Sequence, residues 1–171
     1  MAFTQWWLQL NIDSAAIFAA AYVFNISVYI VYSYFFLEET DEKTLCLDLG
    51  GRLGEHRIIG DSRGFSGTLV ALIIGYTAWM LLGSLYHLVI AVGANFGTIL
   101  NSFIKRRLGI ERGEGLPFLD QTDFILGAFL FATPITTISL PILITGLAQA
   151  FIIHTLVNIC GRPSWKSLIK K

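Results

Sequence analysis

Charge is what this chain has least of: Asp, Glu, Lys and Arg make up 14% of its 171 residues, against 54% hydrophobic and a mean hydropathy of +0.65. A soluble domain carries about 25% charged residues, so this composition excludes that class and points to a polytopic membrane protein. Cysteine is nearly absent too. Cys46 and Cys160 show no CxxC or Cys/His spacing, which excludes a disulfide framework and a zinc site and leaves two free thiols. Residues 1–12 hold Trp6 and Trp7 but no Lys or Arg, so they lack the charged start of a signal peptide and read as an interfacial anchor. There is no internal repeat, no low-complexity tract and no room for a second domain, so residues 1–171 are read as one unit.

What is present in quantity is apolar sequence. Crossing about 30 Å of hydrocarbon takes roughly 17 to 25 residues. Five segments are candidates, the fourth falling slightly short of that length, giving an all-α integral membrane fold with spans at 14–37, 68–86, 87–104, 123–137 and 141–160. The last two are divided at Thr136, Thr137 and Ser139, because Pro141 cannot continue a preceding helix without losing a backbone hydrogen bond.

The twelve Lys and Arg residues fall only in segments 38–66, 105–122 and 161–171. With five spans these share one face. The positive-inside rule makes that face cytoplasmic, with the N-terminus outside and the C-terminus inside. Of the twelve acids eleven share that face, Asp123 at the mouth of the fourth span among them, and only Asp13 does not. The zero net charge conceals a layout: four cations against seven anions in the first segment, balance from Lys105 to Asp123, and four unopposed cations in the tail.

Within the third span Gly93, Gly97, Asn101 and Lys105 recur every four residues, so one helix face grades from small to polar to cationic. It reads as a packing seam at the glycines, with Asn101 and Lys105 as either its continuation or a cavity wall. Asn25, midway along the first span, is either a buried interhelical hydrogen-bonding group or a ligand contact. His87 and His154 read as structural.

The densest chemistry lies in SFIKRRLGIERGEGLPFLDQTDFILGA, residues 102–128, which carries eight charged residues. Asp120 and Asp123 stand one helical turn apart, so their carboxylates share a side. Two readings are open. They complement a helix N-terminus, or with Lys105, Arg106 and Arg107 they hold Mg²⁺ and phosphate at the membrane boundary. Arg106 and Arg107 also suit lipid-headgroup contact. A second stretch, Gly60, Asp61, Ser62, Arg63, Gly64, Phe65, Ser66, Gly67, has the glycines of a phosphate-cradling loop without the GK[ST] ending of a Walker A motif.

SFIKRRLGIERGE followed by LPFLDQTDFILGA resembles the archaeal CDP-archaeol synthase family, itself similar to CDP-diglyceride synthases. Ala21, Tyr22, Val23 and Asn25 resemble its AYVxN pattern, and Asp48, Leu49, Gly50 and Arg57 to Asp61 its first cytoplasmic loop. The likeness covers roughly the whole chain. It departs where the family shows GDGKTWRG and this chain has GDSRGFSG, with Arg63 at the lysine position, and where Thr98 stands in place of a common acid. The resemblance implies transfer of CMP from CTP to 2,3-bis-O-geranylgeranyl-sn-glycerol 1-phosphate. It further implies Mg²⁺ on Asp120 and Asp123, catalytic help from Lys105, and nucleotide or phosphate contacts from Asn25, Gly60, Asp61, Arg63, Gly67, Asn101, Arg106 and Arg107. Membrane lipid is the expected surrounding and no nucleic-acid partner is expected. The rival classes are a small polytopic carrier, for which ionisable groups should reach the bilayer midplane, and a non-catalytic membrane scaffold.

Overall fold

A computed structural model describes residues 2–35, 46–60, 64–110 and 114–161, with side chains for 4–27, 46–60, 64–110 and 114–156. Among these described residues six helices follow one another: α1 (Ala2–Ile17), α2 (Ala19–Phe35), α3 (Phe65–Leu82), α4 (Tyr86–Arg107), α5 (Leu119–Ala132) and α6 (Leu140–Gly161). Between α2 and α3 a two-stranded antiparallel ribbon pairs β1 (Arg52–Leu53) with β2 (His56–Arg57).

Helix α4 is the axis of the assembly. Half of its apolar window is buried, against 11% for α3, and it packs on α2, α3 and α5. The core is built from small residues, Ala21, Ala71, Ala94, Ala128 and Ala150, keyed by Phe18, Phe24, Ile90, Phe124 and Ile125. Small side chains let helix backbones approach closely, and dispersion between them then substitutes for a hydrophobic drive that lipid does not supply. Outward-facing Leu69, Ile73, Tyr76 and Met80 on α3 are exposed, as suits a surface solvated by acyl chains.

Several boundaries differ from those expected. The first apolar segment does not begin at residue 14: α1 starts at Ala2 and meets α2 at a 57° bend around Phe18. The tryptophan-bearing N-terminus is therefore helix, since nothing in residues 2–17 breaks one. Hydrogen bonds from Phe18 N to Ser14 O and from Tyr22 N to Phe18 O, both 3.0 Å, carry the backbone through the bend. Helix α6 receives it: Ser14 Oγ donates to Ile142 O at 3.2 Å, and Gln149 Nε2 donates to Asn11 O and Oδ1 at 3.1 and 3.0 Å.

The fourth segment, expected at 123–137, is a 14-residue helix from Leu119 to Ala132. It starts a turn early because the bend at residues 114–118 delivers the chain into it, and it stops before Pro134. The 38–66 segment, expected only as a charged loop, contains the ribbon. Among the described residues two helices, α3 and α4, are long and apolar enough to cross a membrane, or three if the bent α1–α2 pair counts as one span. The cationic tail after Gly161 lies outside the described residues.

Candidate active site

The glycine seam of α4 sets the geometry. A Cβ on Gly93 would stand 2.7 Å from Gly127 O and 2.8 Å from Phe131 Cβ. One on Gly97 would fall far inside contact with the Asp123 carbonyl oxygen. Helices α4 and α5 thus touch backbone to backbone, and one turn farther along α4 the same face brings Asn101 and then Lys105 to the start of α5.

There the side chains converge. Asn101 Nδ2 donates to Asp120 Oδ1 at 2.7 Å and to Asp123 Oδ2 at 2.8 Å. Lys105 Nζ lies 2.9 and 2.8 Å from the two oxygens of Asp120. Asp120 also caps the bend before its own helix, accepting from Leu116 N at 2.8 Å. That bend is tight: Phe118 has φ of 69° and ψ of −53°, closed by Leu119 N on Pro117 O at 2.9 Å, a positive-φ conformation that costs a non-glycine residue about 1–3 kcal/mol and recurs at functional sites. The ring of Phe118 packs 6.0 Å from that of Phe151 on α6.

Asn101 is 3% exposed, and its Oδ1 is buried without a hydrogen-bond partner among the described residues. A buried acceptor left unmade costs about 1–3 kcal/mol, so one standing against two carboxylates suits a site completed by a ligand. Among the described residues no group of three or more His, Cys, Asp and Glu side chains could hold a metal. Mg²⁺ does not need one, because it usually keeps several waters and takes one or two carboxylates plus phosphate. Asp120 and Asp123 are therefore the residues that would hold Mg²⁺ here, if the ion binds at this cluster.

Behind the acids the 46–60 loop is folded on a buried carboxylate. The Asp48 side chain is 0% exposed. It pairs with Arg57 and accepts from the amides of Gly50, Ile59 and Gly60 at 3.2, 3.1 and 3.0 Å. Burial alone would raise its pKa, but Arg57 and these amides outweigh it and hold the carboxyl well below the usual range. Arg107 fastens this loop to α4, donating to Leu53 O at 3.2 Å and Arg57 O at 2.7 Å, with its guanidinium 5.3 Å over the Phe103 ring. Gly60, at φ of 94°, lies flat against Arg106: a Cβ there would stand 2.8 Å from Arg106 Nε. Arg106 itself donates to Ile110 O.

The residues singled out from sequence thus divide. Asn101, Lys105, Asp120 and Asp123 form one hydrogen-bonded cluster, with Arg106 and Gly60 packed together beside it on the next face of α4. Arg107 is occupied with loop carbonyls. Gly67 lies in the first turn of α3 with open space at its Cβ. Asn25 is half-buried on α2, one turn from Tyr22, whose ring meets Phe124 edge-on at 5.6 Å. Asp61 and Arg63 lie outside the described residues. Sequence reasoning gave no role to Asp48 or Arg57 beyond their place in a motif; the DLG and RIIG runs were the available signal. An apolar groove lined by Phe96, Leu100, Leu126 and Leu130 ends on Asn101 and Asp123.

A protein-family model described as CarS-like, CDP-archaeol synthase, matches residues 16–163. The chain belongs to the CDP-archaeol synthase family. That is a family of membrane nucleotidyltransferases of archaeal ether-lipid synthesis. The CDP-archaeol synthase of Methanoregula boonei is 36% identical over 126 residues, 61% of this chain and 76% of that protein. The CDP-archaeol synthase of Sulfolobus acidocaldarius is 42% identical over 83 residues, 42% of this chain and 48% of that protein. A solved structure of an intramembrane enzyme for archaeal membrane lipids biosynthesis superposes with a TM-score of 0.70 at 26% identity, covering 86% of this chain and 94% of the other. The shared fold therefore extends over most of both chains.

Proposed function

We propose that this family member transfers CMP from CTP to 2,3-bis-O-geranylgeranyl-sn-glycerol 1-phosphate, releasing diphosphate and CDP-archaeol, at the junction of α4 and α5 on the cytoplasmic face. One observation carries the reading: a buried amide joins two carboxylates and keeps an unmade acceptor beside them, within reach of an ammonium group. A scaffold has no use for such a cluster, and the charges stop short of the midplane path a carrier would need.

The reaction brings two anions together. A lipid phosphomonoester is already largely ionised near neutral pH, its second pKa being about 6, so no strong general base is required. Neutralisation and alignment are. Bound Mg²⁺ would supply Lewis-acid stabilisation of charge on the diphosphate leaving group. Asp120 and Asp123 would hold that ion, and Asn101 fixes their spacing. Lys105 and Arg106 present positive charge where α4 leaves the membrane, and Gly60 removes the side chain that would shield Arg106. Arg63, Asp61, Gly67 and Asn25 are proposed at the nucleotide's edge. Arg107 keeps the 46–60 loop in place while Arg106 faces phosphate. The groove ending at Asn101 and Asp123 supports sideways approach of the lipid, its headgroup meeting CTP at the acids.

Five crossings, with the bent α1–α2 pair as the first, put residues 38–66, 105–122 and 161–171 on the cytosolic side. Impermeant thiol labelling of single cysteines placed at Glu55 and Glu114 tests this. Protection in right-side-out vesicles is expected, and labelling there would overturn the topology. Conversion of CTP and the lipid phosphate to CDP-archaeol by purified protein in detergent tests the activity; Mg²⁺-independent turnover, or none with the lipid, would reject it.

A further inference from the structure

The geometry points to Lys105 as a stand-in cation that yields its place on Asp120 when a divalent ion binds, and then turns to the phosphate that the ion carries. This rests on the reading of Asp120 and Asp123 as metal ligands.

A carboxylate offers about four lone-pair sites, and on Asp120 all are engaged. Oδ1 accepts from Asn101 at 2.7 Å and Lys105 at 2.9 Å, while Oδ2 accepts from Lys105 and Leu116 N, each at 2.8 Å. A divalent ion cannot reach either oxygen along a lone pair until a donor departs. Leu116 N is backbone, fixed by the bend that starts α5. Asn101 is 3% exposed and wedged between two carboxylates, so losing its amide would leave them facing each other. Lys105 alone is free to go: its ammonium sits on a flexible four-carbon stem at the end of α4, and its side chain retains 14% exposure.

Like charges decide the rest. An ammonium and a divalent cation on one carboxylate repel, so binding of the ion expels Lys105. A polyphosphate arriving with the ion offers the ammonium a new partner. Without metal, Lys105 and Asn101 together keep two neighbouring carboxylates from repelling each other. With it, the same lysine serves the substrate. The Asn101 Oδ1 is an independent sign that the cluster awaits another occupant, since among the described residues no protein donor meets this buried acceptor.

The exchange predicts opposite signs for one substitution. With Mn²⁺ as the probe, followed by electron paramagnetic resonance on detergent-solubilised protein without nucleotide, Lys105→Met should bind the ion about tenfold more tightly than the wild type, a usual coupling between competing ligands. At saturating Mn²⁺ the same variant should bind CTP about tenfold more weakly. Lys105→Arg, which keeps the charge and folds as the wild type does, should bind Mn²⁺ more weakly than Lys105→Met, because a forked guanidinium holds carboxylate more firmly. Equal or weaker Mn²⁺ binding by Lys105→Met overturns the exchange while leaving the metal reading intact, provided Asp120→Asn and Asp123→Asn each weaken Mn²⁺ binding. Should those two leave it unchanged, the metal reading itself falls, and the exchange with it.

Discussion

Gly97 of α4 lies against the main chain of Asp123 on α5 with no room for a single added carbon. That contact decides where the acids stand, because the depth to which α5 sinks into α4 fixes the reach from Asn101 and Lys105 to the carboxylates. Gly97→Ala should push the helices apart. Overpacking of this kind costs about 1–3 kcal/mol or more, read as a lowered unfolding temperature in detergent. Gly67→Ala, with open space at its Cβ, should leave stability unchanged or raise it by up to about 1 kcal/mol. Equal losses for the two would refute the seam.

Asn101 spends both amide protons on carboxylates. Asn101→Leu keeps the volume and removes the bridge, so metal affinity should fall about 10- to 100-fold, as for other groups that orient metal ligands. Mn²⁺ titration by paramagnetic resonance measures it. Unaltered affinity would mean that the acids hold their spacing unaided.

The loop on Asp48 should respond to acid. The folded-state pKa lies below the ordinary 3.8, so the carboxylate's stabilisation is complete above that value and is lost as pH falls beneath it toward the folded-state value. Amide exchange across residues 50–60, corrected for intrinsic rates, should be slow at neutral pH and accelerate below about pH 4. Asp48→Asn should exchange quickly already at pH 7. A loop equally protected in that variant would show that the carboxylate is not what folds it.

Arg107 joins the ribbon to α4 through two carbonyls and one ring. Arg107→Lys cannot reproduce the two divergent donors and should expose residues 52–57 to proteolysis nearly as much as Arg107→Ala does. If the lysine variant resists protease as the wild type does, the charge matters and the fork does not.

The apolar runs made α3, α4 and α6 legible to within a few residues, because length and hydropathy alone define a helix that must satisfy its backbone in lipid. The four-residue recurrence from Gly93 to Lys105 likewise exposed the seam and put Asn101 and Lys105 on its continuation, since helical period converts spacing directly into a face. The α1–α2 bend was not legible. It carries neither Pro nor Gly and is held by contacts distant in sequence, Gln149 on Asn11 and the Tyr22 hydroxyl donating to Gly146 O at 3.1 Å. Nor was the ribbon, whose strands are two residues long and depend on Asp48 and Arg107 rather than on any alternation. The fourth span as read from sequence starts at Asp123, a turn inside α5, although the two acids read as complementing a helix N-terminus already place the helix start near Asp120.

The most direct test of the account is the Mg²⁺ dependence of CDP-archaeol formation by the purified wild-type protein beside Asp120→Asn and Asp123→Asn. Turnover should vanish in chelator and return with Mg²⁺ in the wild type, while each variant, folded and at saturating CTP, should lose at least about 100-fold in kcat. Full product formation in chelator, or near wild-type turnover by either variant, would contradict a catalytic centre built on these two carboxylates.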